Sequence, residues 1–77
     1  MLNSIANDFQ HLTIQRDQHV IWIGLAVKGS TLNLFTPELI VELQQAYKMA
    51  LSLGLRALII YSARPQVFSA GLDLKLL

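Results

Sequence analysis

The sequence predicts an α/β unit in strand–strand–helix–strand order, and three observations predict it. Apolar runs rich in Val and Ile fall at Val20–Val27 and Arg56–Ser62, an amphipathic stretch with a marked start lies between them, and Gly and polar residues punctuate the segments. At 77 residues there is room for one such unit and none for two independent cores.

His11–Gln15 (HLTIQ) alternates loosely and reads as the first strand, followed by the polar break Arg16-Asp17-Gln18-His19. Val20–Val27 (VIWIGLAV) is apolar in both phases, which predicts a strand buried on both faces. The short break between the two predicts a β-hairpin, and Gly24 marks a bulge or a close backbone approach. Lys28–Phe35 (KGSTLNLF) is a connector, with Gly29, Ser30 and Asn33 suited to turns.

Thr36-Pro37-Glu38 is a helix start: a hydroxyl to cap free amides, a proline at the first position, and an acid near the positive end. Leu39, Leu43, Ala46/Tyr47 and Ala50 then recur every three or four residues as one apolar face, while Glu42, Gln45 and Lys48 lie elsewhere on the wheel. Gly54 ends the helix in a left-handed conformation, so the helix is expected over Pro37–Leu53. Arg56–Ser62 (RALIIYS) reads as a strand buried on both faces, making a right-handed βαβ crossover with parallel strands. After the polar loop Arg64-Pro65-Gln66, Val67–Leu77 (VFSAGLDLKLL) turns toward a second helix.

Composition bears on completeness. Hydrophobic residues make up 53% and charged residues 14%, against ~45–50% and ~25% in an ordinary soluble domain. A chain this short buries only roughly 60% of its unfolded surface. The surplus is expected to pack against further protein or another copy, and residues 1–77 are expected to be a partial domain truncated at the C-terminal end.

Charge and motifs exclude several functions. Six Lys/Arg and five Asp/Glu are scattered singly, giving no footprint for nucleic acid. Cysteine is absent, which removes disulfides, thiolate metal sites and thiol nucleophiles. His11 and His19 come without a set of carboxylates, so no metal is expected, and Trp22 and Phe68 read as core residues. MLNSIANDFQ lacks a basic start before an apolar core and so is no secretory signal. The apolar runs fall far short of the ~20 residues of a membrane span. The expectation is a chain without a membrane span, in the cytoplasm, with a mitochondrial or peroxisomal location left open.

Phe68-Ser69-Ala70-Gly71-Leu72-Asp73-Leu74 is the stretch with chemical content. It follows a strand, carries small residues that permit close approach, and opens onto expected helical amides that lack internal acceptors. Such amides suit an anion, or an oxygen becoming one. Ser69 lacks the G-x-S-x-G elbow of a nucleophile, and Gly71 alone makes no dinucleotide fingerprint.

Arg64-Pro65-Gln66-Val67-Phe68-Ser69-Ala70-Gly71-Leu72-Asp73-Leu74 resembles the first oxyanion-hole segment of the crotonase (enoyl-CoA hydratase/isomerase) superfamily, and in wording the Δ3,Δ2-enoyl-CoA isomerase branch. The order of hairpin, Asn33 turn, long helix and strand is similar too, while Lys28-Gly29 stands where many members carry Arg-Pro. The resemblance implies the N-terminal ββαβ portion of a crotonase-like fold, acting on an acyl-CoA as an enoyl-CoA isomerase or hydratase. It implies that the backbone N–H of Leu72 steadies a thioester enolate with Gly71 allowing the approach, and that Ser69, Ala70 and Lys28 contact the coenzyme A moiety. Coenzyme A is then part of the substrate and no separate cofactor is called for; the full-length form is expected to be a homo-oligomer. The second oxyanion donor and the acid/base carboxylates of the family have no counterpart before Leu77, and Glu38 and Glu42 read as solvated. Enzyme activity of these 77 residues alone is therefore left open. The rival expectation is a non-catalytic fragment or association module that buries its apolar surface against another subunit.

Overall fold

A computed structural model describes residues 3–6, 8–65 and 67–71. The elements are β1 (Asn3–Ala6), β2 (Leu12–Asp17), β3 (Val20–Leu25), α1 (Pro37–Ser52) and β4 (Ala57–Ser62), and the strands form a mixed α/β arrangement in sheet order β1-β2-β3-β4. β1 was not expected from the sequence. It pairs antiparallel with β2, with an irregularity between Ser4 and Ala6.

The hairpin is present, with β2 running two residues further than predicted. Register is continuous from Leu12↔Leu25 to Asp17↔Val20, leaving Gln18 and His19 as the turn. Gln18 takes φ 55°, and its carbonyl accepts from Arg16 Nε at 2.7 Å, which ties the turn down. Gly24 forms no bulge, since it pairs regularly with Thr13 and with Tyr61. It is a close approach: an added Cβ would lie 2.7 Å from Tyr61 Cζ and 2.8 Å from Thr13 Oγ1.

β3 and β4 pair in parallel from Val20↔Ala57 to Leu25↔Ser62, with α1 as the crossover. Thr36 Oγ1 accepts from the Leu39 amide at 3.1 Å, and Pro37 opens the helix. At the other end α1 stops at Ser52, one residue short of the expected Leu53, which is instead the cap residue, and Gly54 follows at φ 70°. Leu12 and Ile14 of β2 and Ile21, Ile23 and Leu25 of β3 form the core with Val27, Leu39, Ala46 and Ala50. Leu39, Ala46 and Ala50 are the buried residues that α1 contributes.

Burial departs from expectation on the β4 side. No residue of β4 is fully buried, and Ile60 is 43% exposed. β4 is the last strand in the sheet, so an apolar run that could be covered on both faces has, among the described residues, little to cover it. Val20 and Trp22 of β3 are half-buried for a related reason: they lie in the opposite phase from the core residues of that strand. Trp22 packs edge-on against Tyr61, centroids 6.2 Å apart, and its buried Nε1 has no acceptor among the described residues. Tyr47 and Phe68, expected on the apolar face and in the core, are 50% and 52% exposed. Residues 67–71 are not helical; the remainder of the expected second helix, 72–77, lies outside the described residues. No helix among the described residues is long and apolar enough to cross a membrane.

Candidate functional site

Asn33 organises the end of the sheet where the strands β3 and β4 finish. It is fully buried and holds φ 49°, a conformation that asparagine tolerates better than most residues. Its Oδ1 accepts from the Val27 amide at 3.1 Å. Its Nδ2 donates to Ser62 Oγ at 2.8 Å and to the Phe68 carbonyl at 3.1 Å. One carboxamide thus joins the exit of β3, the end of β4 and the turn that follows.

The turn is then fastened along its length. Ser69 Oγ donates to the Asn33 carbonyl at 2.8 Å and accepts from the Gly71 amide at 3.0 Å. The Ala70 amide donates to Leu32 O, and the Phe35 amide to Gly71 O, both at 2.9 Å. Gly71 sits at φ 97° with nothing among the described residues within 4 Å of an added Cβ, so glycine is required there by backbone conformation.

Ser69, Ala70 and Gly71 are therefore brought together against residues 32–35. Two of their amides, those of Ala70 and Gly71, are already used inside the protein. Leu72, the expected main-chain donor, lies outside the described residues. Lys28 is exposed in a separate turn, where its amide donates to His11 Nδ1 at 3.0 Å. His11 stands just before β2, away from the hairpin tip; His19 is in the tip, where its carbonyl accepts from the Arg56 amide at 2.7 Å. No group of three or more His, Cys, Asp or Glu that could hold a metal occurs among the described residues.

Two residues have roles that sequence reasoning missed. Glu42 was expected to be solvated, yet its carboxylate accepts from the amides of Gln10 and His11 at 2.9 and 2.8 Å, clamping the segment before β2 to the helix. Arg64, in the polar loop after β4, donates from Nη2 to Val27 O at 2.8 Å. Both contacts span more than thirty residues, and no local pattern announces them. Arg64 also lines a pocket of about 470 Å³ with Thr31, Leu32, Pro65 and Val67, next to the fastened turn.

No family model matches this chain, and no curated protein matches it. The fold itself defines a small mixed α/β unit: an antiparallel hairpin extended by a parallel strand through one crossover helix.

Proposed function

We propose that this chain is the acyl-CoA thioester-binding segment of an enzyme of the enoyl-CoA hydratase/isomerase type. The observation that supports the reading best is the turn at 68–71, held by Asn33, Leu32 and Phe35 so that its backbone is positioned before any ligand arrives. Because the Ala70 and Gly71 amides already have acceptors, donation to a thioester oxygen passes to the next residue, Leu72. That N–H would meet the carbonyl oxygen as it gains enolate charge, an interaction of about 2.7–4 kcal/mol in a comparable donor. Ser69 and Ala70 then flank the pantetheine and adenine portions, and Lys28 a phosphate. A second donor and an acid/base carboxylate complete the reaction, and the reading assigns both to sequence other than these 77 residues.

Calorimetric titration with an acyl-CoA tests the reading on the chain and on two variants. Leu72→Ala keeps the N–H and is expected to bind like the parent, whereas Leu72→Pro removes it and is expected to bind at least tenfold more weakly. Equal binding by the proline variant, or equal loss in both, overturns the assignment.

A second reading, an association module, has its own support. Tyr47, Leu51, Ile60 and Phe68 are large apolar side chains between 43% and 52% exposed. Sedimentation across a concentration series tests it, and a chain that stays monomeric at high concentration removes it.

A further inference from the structure

We propose that Arg64 and the pocket it lines form a binding site for a phosphate-type oxyanion. Three observations carry this. The first is how firmly Arg64 is positioned: its amide donates to Ser62 Oγ at 2.9 Å, the same hydroxyl donates back to its carbonyl at 3.1 Å, and Nη2 is held by Val27 O at 2.8 Å. An arginine whose backbone and side chain are both fixed loses little freedom when it takes a ligand.

The second is electrostatic. A guanidinium carries five N–H donors and a permanent charge. Among the described residues only one of those donors has a partner, a neutral carbonyl, and no carboxylate pairs with the charge. The Nε is buried and has no acceptor among the described residues. The charge is thus partly desolvated and uncompensated, which is the setting in which an incoming anion gains most.

The third is space. The pocket of about 470 Å³ is bounded by Thr31, Leu32, Pro65 and Val67 as well as Arg64. Thr31, exposed, lines it together with apolar Leu32, Pro65 and Val67, and no acidic residue lines it among the described residues. A phosphate group fits this chemistry better than a cation or an uncharged ligand, and there is room for part of whatever carries it.

The site is independent of the thioester reading, because inorganic phosphate has no acyl group. Titration of the chain with inorganic phosphate at constant ionic strength, set with chloride, is followed through the amide resonances of Thr31, Leu32 and Val67. Saturable shifts confined to these residues are expected. Arg64→Gln is expected to weaken binding at least tenfold, and Arg64→Lys to fall between. Since Arg64→Gln also releases Val27 O, Thr31→Glu serves as the second variant: it sets a carboxylate in the pocket from an exposed position and is expected to abolish the shifts. A parallel titration with coenzyme A separates the sources. If it moves the same residues and competes with phosphate, the group is one carried on a larger ligand; if it does not, the ligand is free phosphate. Shifts spread evenly over all basic residues, or retained in both Arg64→Gln and Thr31→Glu, overturn the proposal.

Discussion

Asn33 Nδ2 donates to Ser62 Oγ at 2.8 Å across 29 residues of sequence. This contact locks the connector after β3 to the end of β4, and the turn at 68–71 builds on it through the Phe68 carbonyl.

Asn33→Ala removes the partner of a buried amide and of a carbonyl. The loss should total on the order of 3 kcal/mol, at about 1–3 kcal/mol per stranded group. Thermal unfolding should fall by roughly 15 °C. Asn33→Gly, which relieves the positive φ, should recover only a small part. A drop of a degree or two in Asn33→Ala would show that the carboxamide holds nothing.

Gly24→Ala places a methyl group against the Tyr61 ring and Thr13 hydroxyl. It should destabilise by about 1–3 kcal/mol, as overpacking does. In a Tyr61→Ala background the same change should cost much less, because most of the clash is gone. Additive costs in the double variant would place the strain elsewhere.

Glu42→Gln keeps one acceptor oxygen and loses the charge. It should cost about 1 kcal/mol, with Glu42→Ala costing more, since bonds to a charged group run at about 1.5–3 kcal/mol. The amide protons of Gln10 and His11 should move upfield together in both variants. Unchanged shifts would mean the clamp is not formed in solution.

Ile23 and Ile60 pair across the parallel strands but differ in burial, 1% against 43% exposed. Ile23→Ala should cost about 2–5 kcal/mol. Ile60→Thr should stay within about 0.5 kcal/mol while lowering any self-association seen by sedimentation. Equal stability losses at the two positions would mean β4 is covered as completely as β3.

What could be read in the sequence was what local chemistry decides. Thr36, Pro37 and Gly54 set the ends of α1 through contacts within one turn, and the runs at Val20 and Ala57 gave β3, β4 and the parallel crossover. β1 escaped because Asn3–Ala6 has neither alternation nor a β-branched run, and its pairing rests on β2. Burial of β4 was overestimated because an apolar run records which side chains a strand carries, while its cover depends on its place in the sheet. At the site, the consecutive residues Ser69, Ala70 and Gly71 form a turn fastened to residues 32–35. Asn33 was recognisable only as a turn residue; its reach to Ser62 and Phe68, like the grips of Glu42 and Arg64, exists only once distant segments meet.

The turn at 68–71 is held by Asn33, Leu32 and Phe35 through hydrogen bonds, while its one large side chain, Phe68, stands half in solvent. Among the described residues, peeling it from residues 32–35 therefore uncovers little apolar surface beyond the covered half of Phe68. The sensitivity of an opening to denaturant follows the surface it uncovers, so this turn should open through a local fluctuation that denaturant scarcely promotes, well below the global unfolding free energy. An incoming ligand would then act first by suppressing that fluctuation, and protection of the Ala70 amide from solvent exchange would report its arrival before any change in the melting of the core.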